Sequence, residues 1–223
     1  INFKNRDLSM HYSTFENDHK LPYDPFKAIV TPRPIGWIGS KNKNGLNNLA
    51  PYSYFNAISH NPQKFIMFSS TNYKDSVQNI EDTGEFTCSL ATYELFNNMN
   101  YSSAEVKNEI DEFKLANLTP EKGKYVNANY VKESPAALEC KLWKVIDLPN
   151  SERDLNKGNF VVFGEVIGIY INDNFIKDGL FDTAKAMPMA RLGYKEYGVI
   201  NKDNILTKSR PEVDEKREKI IKS

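Results

Sequence analysis

The chain has 223 residues, of which 40% are hydrophobic, 12% aromatic and 26% charged. This composition is typical of a folded globular protein and excludes a disordered, collagen-like or membrane chain. The 29 basic residues balance the 29 acidic ones, which argues against a nucleic-acid-binding protein, because such proteins present a basic surface to phosphate. The length admits one large domain or two small ones.

No segment reads as a membrane span or a secretion signal. The longest apolar runs, such as 160–163, fall far short of the roughly 20 residues that cross a bilayer. Residues 1–10 are polar, and Met10 is a candidate for the natural start of the protein. Cys88 and Cys140 show no CxxC spacing, so we interpret them as buried thiols and expect a cytoplasmic protein without a membrane partner.

Strands and turns dominate the first part of the chain. Residues 35–40 predict a strand, and Asn44-Gly45 predicts a hairpin after it, because both residues tolerate positive φ. We expect the returning segment, 46–58, to be an irregular strand or an ordered loop, since Pro51 interrupts it.

A buried strand and a helix are predicted next. Residues 65–68 form a continuous apolar run, which is typical of a buried strand. The helix would follow Lys74, with Asp75 or Ser76 as its N-cap and Gly84 just past its end.

The middle of the chain predicts three strands and a broken helix. Residues 86–91 read as a strand, and 94–113 as an interrupted helical pattern with a capping box at 102–105. Apolar and polar residues alternate over 138–142, which predicts a half-buried strand. The longest β-rich stretch, 160–171, contains two glycines that indicate bulges of a curved sheet.

Two weak helices are predicted near the end, over 183–190 and 211–221. In the second, glutamates precede lysines by four residues, which favours a solvated helix. Many short strands and few long helices together favour a mainly β fold, an antiparallel β-barrel with accessory helices, over a doubly wound sheet.

Several chemistries have no signature in the sequence. It contains no GxGxxG, Walker A or GxSxG motif, so a nicotinamide would not be held on a Rossmann turn. His11, His19 and His60 lack the spacing of zinc ligands, and we expect no metal site. Asp111 and Glu112 are adjacent acids in a charge-rich stretch, which we interpret as a solvated helix face.

One place has the composition of an anion site. The strand at 65–68, the turn at 69–73 and the helix from Asp75 would bring hydroxyls, the Lys74 ammonium and free backbone N–H groups to one helix N-terminus. An ordinary capped helix with a solvated Lys74 explains the same residues, so the pattern by itself leaves both alternatives open.

Blocks of sequence spread over most of the chain carry a more specific signal. They are PRPIGWIGS at 32–40, Gly45, NLAPYSYFN at 48–56, KDS at 74–76, NI at 79–80, GEF at 84–86, DEF at 111–113, LEC at 138–140, GEV at 164–166, ARLG at 190–193 and Tyr197. In this order they resemble the flavin reductase-like family of FMN-binding split β-barrel proteins, which includes flavoredoxins and the reductase components of two-component monooxygenases.

The resemblance implies a domain organisation. Residues 23–211 would form a flavin reductase-like split barrel of the antiparallel Greek-key type. Residues 1–22 would be an N-terminal extension, and 212–223 a C-terminal solvated helix or tail. The family implies a homodimer with FMN between the barrel and the partner subunit.

The resemblance also assigns residues to the cofactor. Residues 48–56 would run beside the isoalloxazine ring, with backbone groups reading its polar edge and Pro51 keeping the segment extended. The anion site would bind the ribityl and phosphate groups, and the late loop at 191–194 would approach the cofactor. Trp37 would supply apolar contact, with a place in the core as the alternative. The family often has glycine where Tyr194 stands, and usually threonine where Ser76 stands. The cofactor-binding candidates are Trp37, Ile38, Ser40, Asn48, Leu49, Ala50, Pro51, Ser53, Tyr54, Phe55, Asn56, Ser69, Ser70, Lys74, Asp75, Ser76, Arg191, Gly193 and Tyr194.

The implied activity is that of an NAD(P)H:flavin oxidoreductase. Hydride would pass from NAD(P)H to FMN, and electrons would leave to free flavin, oxygen, a metal chelate or a partner protein. This chemistry requires no nucleophile, so no catalytic residue is assigned. The alternatives are a flavoredoxin-like electron carrier without direct NAD(P)H turnover and a non-catalytic FMN-binding module. The sequence has no feature that separates NADH from NADPH or names the electron acceptor.

Overall fold

Strands account for most of the regular structure in residues 9–153 and 156–222, which the computed structural model describes apart from the side chain of Lys222. The strands are β1 (Arg33–Pro34), β2 (Gly36–Lys41), β3 (Asn47–Tyr52), β4 (Phe55–Ser59), β5 (Phe65–Thr71), β6 (Glu85–Leu90), β7 (Pro120–Lys122), β8 (Asn129–Val131), β9 (Ala136–Asp147), β10 (Asn159–Ile171), β11 (Ile176–Lys177), β12 (Leu180–Phe181), β13 (Met189–Arg191), β14 (Tyr197–Val199), β15 (Glu212–Val213) and β16 (Ile220–Lys222). The helices are α1 (Phe26–Ile29), α2 (Asp75–Thr83), α3 (Phe96–Tyr101), α4 (Glu112–Leu115) and α5 (Thr183–Ala186), with 3-10 turns at Asp173–Phe175 and Lys202–Asn204. Within these described ranges, no helix has the length and apolar character needed to cross a bilayer.

A seven-stranded antiparallel sheet closes on itself to form the barrel. Its order is β3-β2-β6-β9-β10-β5-β4. β3 and β4 lie at opposite ends of this order, yet only Ser53 and Tyr54 separate them in the chain. Since such a link spans at most about 10 Å, the two edges of the sheet must approach each other. The predicted mainly β fold is therefore confirmed.

Bulges give the long strands their curvature. The pairing of β10 with β9 shifts register between Phe163 and Gly164, and again between Val166 and Gly168. A Cβ on Gly164 would lie 2.3 Å from the ring of Phe86, so the glycine allows the core to approach the backbone there. The prediction of bulges in this stretch is confirmed.

Two hydrophobic cores lie on opposite faces of β2, because successive side chains of a strand point in opposite directions. Ile38 packs inside the barrel with Phe68 and Phe86. Trp37 points the other way and packs with Phe113 in a second core to which α3 and α4 contribute. The barrel core also contains both cysteines, which are free and buried as predicted.

Arg33 ties the beginning of the barrel to the late loop. Its guanidinium is buried and donates to the backbone carbonyls of Lys27 in α1 and Leu192, the latter at 2.9 Å. Gly193 then fits closely against α1, since a Cβ at this position would lie 2.6 Å from the Cβ of Ala28. The late loop is thereby held beside the N-terminal segment.

Two predicted segments differ from the structure in the first half. Residues 46–58 form two regular strands, β3 and β4, with Pro51 on the edge strand where it interrupts no sheet hydrogen bond. Residues 94–113 contain only α3 and α4, and the capping box at 102–105 begins no helix. Ser102 instead ends α3 and accepts the indole N–H of Trp37 at 2.9 Å.

The predictions of two helices near the C-terminus are also largely wrong. Residues 183–190 form only the single turn α5 before the chain enters β13. The predicted tail helix is a hairpin of β15 and β16, closed by backbone N–H groups that donate to the side chain of Asp214. Glu to Lys pairs contribute only about 0.2–0.5 kcal/mol each, too little to hold an unpacked helix of this length. Residues 1–8 of the predicted N-terminal extension and Ser223 lie outside the described residues.

Candidate functional site

A cleft of about 510 Å³ lies between β3, the beginning of α2 and the segment 102–108. Its lining residues are Asn48, Ala50, Pro51, Tyr52, Asn72, Tyr73, Lys74, Asp75, Ser76, Gln78, Ser102, Ser103, Ala104, Glu105, Val106, Asn108, Glu112 and Asn156. The cleft thus joins the proline-containing strand to the KDS segment, two blocks that are more than twenty residues apart in the sequence.

The N-terminus of α2 opens into this cleft. The helix is anchored by Val77 and Ile80, which are fully buried in the barrel core, and it ends at Gly84 in the left-handed conformation. Lys74, rather than the predicted Asp75 or Ser76, is the N-cap, and no side chain caps the helix. Because no side chain caps the helix, its N-terminus is open to a ligand.

Two backbone donors at this end are available. The N–H groups of Val77 and Gln78 donate to the carbonyl of Lys74, whereas those of Asp75 and Ser76 have no acceptor in the described part of the chain. Unpaired amides at a helix N-terminus favour an anion, because the helix dipole adds to their partial positive charge.

A hydrogen-bond network holds the hydroxyl of Ser76 in place. The side-chain amide of Asn48 donates to Ser76 Oγ at 2.9 Å and to Ser40 Oγ at 3.1 Å. Tyr52 is buried and hydrogen-bonds Ser76 and Ser70, and burial raises the pKa of its phenol. The hydroxyls of Ser40 and Ser76, both cofactor-binding candidates, are therefore linked through the side chain of Asn48. Asn48 itself was predicted to lie beside the flavin ring.

Among the described residues that line the cleft, acidic side chains lie together with one lysine. Lys74 lies 3.8 Å from the carboxylate of the exposed Glu105. Burial raises the pKa of Asp75, and Glu109 adds to the effect. Burial also raises the pKa of Glu112, with Asp75 contributing, while the backbone N–H of Leu49 opposes the rise.

Glu112 corrects the interpretation of residues 111 and 112 as a solvated face. Its side chain is only 8% exposed, and Oε2 accepts the N–H of Leu49 at 3.1 Å. Asp111 has a separate task, because it caps α4 by accepting the N–H groups of Phe113 and Lys114. The acidic pair is thus divided between a helix cap and the wall of the cleft.

The outer edge of β3 faces this wall. Leu49 directs its N–H away from β2 and toward Glu112. Since neighbouring residues of an antiparallel strand point their backbone groups in opposite directions, those of Ala50 face β2. Ala50 therefore contributes its side chain to the cleft, and the outward backbone groups belong to Leu49 and Pro51.

Some candidates lie in the protein core. Trp37, Ile38 and Leu49 are fully buried. Trp37 is a core residue, which was the alternative to its contact with the cofactor. The hydroxyl of Ser70 donates to the carbonyl of Asn72, and the N–H of Ser69 donates to Tyr54. Ser53, Tyr54, Phe55 and Asn56 form the turn and the beginning of β4.

The late-loop candidates lie outside the cleft of their own chain. The Arg191 guanidinium stacks 4.4 Å from the Tyr197 ring centroid and donates to the carbonyl of Tyr194. Tyr194 is half exposed, and its ring lies 5.8 Å from that of Tyr23. Together with Gly193, this loop packs on the N-terminal segment.

The cleft also contains residues that the candidate set lacks. Tyr52 lies inside the 48–56 block and Glu112 inside the 111–113 block. Both residues therefore belong to the blocks that resemble the family, but neither was predicted to contact the cofactor. Ser102, Ser103 and Glu105 form one wall of the cleft. Their sequence pattern predicted the start of a helix, which the structure does not have, and gave no indication of a binding site.

The donors of the cleft fit a phosphorylated planar ligand. The two free amides of α2 and the Lys74 ammonium are groups that bind phosphate, whereas the hydroxyls of Ser102 and Ser103 already donate to the carbonyls of Met99 and Asn100. Pro51 and Tyr52 continue the cleft along β3 and bring two ring side chains to its lining. In the described residues, no group of His, Cys, Asp and Glu side chains is arranged to hold a metal ion.

The closed antiparallel barrel is a split barrel of the flavin reductase type. Residues 29–189 match the model of the flavin reductase like domain, so the chain belongs to the flavin reductase-like family.

Known relatives and structures agree with this assignment. An uncharacterized protein of Aquifex aeolicus is 34% identical over 194 residues, which cover 84% of this chain and 94% of the relative. The nitrilotriacetate monooxygenase component B from Bacillus cereus superposes with a TM-score of 0.81 and 25% identity, covering 90% of this chain and all of that one. The flavoredoxin of Desulfovibrio vulgaris shares the fold, with a TM-score of 0.70, 23% identity and coverage of 90% and 97%.

Proposed function

We propose that the protein is an FMN-dependent oxidoreductase that takes hydride from NAD(P)H and passes electrons to free flavin, oxygen, a metal chelate or a partner protein. The observation that carries the proposal is the cleft in which the free amides of Asp75 and Ser76 meet the proline-containing edge of β3. When bound, FMN supplies the hydride-accepting ring and can release electrons singly or in pairs.

The chain's own residues would bind and orient the cofactor. The N-terminus of α2 and Lys74 would hold the phosphate, while Asn48 and Tyr52 keep the hydroxyl of Ser76 in a fixed position. Pro51 would keep the strand edge straight beside the ring. The open side of the cleft leaves one face accessible to a nicotinamide, which needs few specific side chains.

Steady-state kinetics test this proposal. The purified protein loaded with FMN is expected to oxidise NADH or NADPH well above the slow background of free FMN. A holoprotein that binds FMN but shows no such turnover, and is reduced rapidly by a redox protein, is an electron carrier instead. A colourless protein that takes up no FMN contradicts the reductase, the electron carrier and the FMN-binding module alike.

We also propose a cytoplasmic homodimer. The two cysteines support a reducing compartment, since both are free thiols. The late loop supports the dimer, because Arg191, Gly193 and Tyr194 lie outside the cleft of their own chain. In a dimer with FMN between subunits, this loop would approach the cofactor of the other subunit.

A further inference from the structure

We infer that the buried carboxyl of Glu112 takes up a proton from solvent when the phosphate end of FMN enters the cleft, so that ligand binding and protonation are coupled. This inference rests on the proposed function and adds a regulation by pH to the same site.

Glu112 is placed where a bound anion would act on it strongly. It lines both the cleft and an adjoining cavity of about 270 Å³, so it separates two spaces that open to solvent. Its side chain is more than nine-tenths buried, and one oxygen is fixed by the N–H of Leu49 at 3.1 Å. A charge in such surroundings is screened less than a charge on the surface.

The groups around Glu112 are mostly acidic. Asp75 faces it from α2, Tyr52 from β3, and Asp111 precedes it at the start of α4. Glu105 belongs to the outer wall of the cleft, and Glu109, which follows this wall in the chain, acts on Asp75.

The positive charges near Glu112 lie beside other carboxylates. Lys74, the one cation among the described residues lining the cleft, lies 3.8 Å from Glu105. In the adjoining cavity Lys43 lies 3.0 Å from Asp82. Burial together with Asp75 and Asp111 already raises the pKa of Glu112 before any ligand is present.

A phosphate adds up to two negative charges to this acidic cleft. Repulsion from these charges raises the pKa of a nearby carboxyl further, so Glu112 holds its proton more strongly in the complex than in the free protein. Linkage then requires that FMN affinity falls as pH rises between the pKa of the free protein and that of the complex. One fully coupled proton changes the dissociation constant by about tenfold per pH unit within this window.

Calorimetric titrations with FMN in two buffers of different ionisation enthalpy measure the proton uptake directly. Over a series of pH values rising from the ordinary glutamate pKa of 4.5, the wild type is expected to show a maximum of proton uptake that Glu112→Gln loses by at least half. The substitution keeps an oxygen that can accept the N–H of Leu49. Riboflavin, which lacks the phosphate, is expected to cause much less uptake in the wild type.

Glu139→Gln is the matched control. Glu139 is also buried and accepts backbone N–H groups, those of Tyr125 and Val126, but it lies outside the cleft. This variant should retain the wild-type uptake. Equal uptake in the wild type and Glu112→Gln, or equal uptake with FMN and riboflavin, would overturn the inference while leaving the proposed function intact.

Infrared difference spectra of the wild type give a second readout if Glu112→Gln does not fold. Binding of FMN should produce the C=O band of a protonated carboxyl, and binding without such a band overturns the inference. Complete failure of FMN to bind overturns the proposed function as well, so the two failures are distinguishable.

Discussion

Asn48 shows how a single residue can prepare a binding site without offering its own donors to the ligand. Both hydrogens of its side-chain amide are used, one toward Ser40 and one toward Ser76. The hydroxyl of Ser76 is then held between Asn48 and Tyr52 beside the free amides of α2. We therefore regard Asn48 as a positioning residue for the phosphate end of the cleft.

Asn48→Ala is expected to raise the dissociation constant for FMN about tenfold. The change removes two hydrogen bonds worth roughly 0.5–1.5 kcal/mol each and frees the Ser76 hydroxyl to rotate. Fluorescence titration gives the affinity, and thermal unfolding gives the stability. Asn98→Ala is the control, because Asn98 donates to the carbonyl of Ala116 away from the cleft. If both variants lose stability equally and neither loses affinity, Asn48 has only a structural part.

At the scale of elements, the start of α2 is the feature most directly linked to ligand charge. The helix combines free amides with an N-cap lysine whose side chain is 47% exposed. An exposed and paired lysine contributes less than a buried one, because solvent screens its charge.

Lys74→Ala is accordingly expected to weaken FMN binding by only about 1 kcal/mol, a roughly fivefold increase in the dissociation constant. Riboflavin affinity should stay unchanged, since the lysine acts on the phosphate. The difference should shrink at high salt. Lys132→Ala is a suitable comparison, because Lys132 is similarly exposed and paired with Glu121 elsewhere on the surface. A matching loss of riboflavin affinity would place Lys74 beside the ring instead.

The same scale shows what could be predicted from the sequence. Strands with a buried face and the hairpin at Asn44-Gly45 were predictable, because their signals are local patterns of apolar side chains and turn residues. The helix that begins after Lys74 was also predictable from the order of strand, turn and helix, and the binding of an anion at its N-terminus stays a prediction. The burial of Glu112 could not be predicted, because it depends on packing against β3, which lies more than sixty residues away in the sequence. The tail hairpin was missed because charge spacing says nothing about weak pairing between short strands.

On the scale of the whole molecule, an aromatic surface marks the outside of the barrel. Trp143 is 62% exposed and contacts the rings of Phe65 and Phe163 at 5.6 and 5.8 Å between centroids. These three residues, the aromatic patch, lie on neighbouring strands β9, β10 and β5. Exposed apolar patches of this kind are typical of protein interfaces, and tryptophan is enriched among residues that dominate binding.

Trp143→Lys is therefore expected to weaken the self-association of the proposed homodimer at least tenfold, because it places a charge in the centre of the aromatic patch. Size-exclusion chromatography with light scattering over a range of protein concentrations measures the shift from dimer to monomer. The melting temperature of the subunit should change little, since the side chain contributes little to either core. Tyr93→Lys changes a similarly exposed aromatic residue outside the patch and should leave the dimer intact. A variant that remains dimeric at the lowest concentration would exclude the aromatic patch from the interface of the proposed homodimer and leave the late loop at 191–194, which already supports that dimer, as the contact.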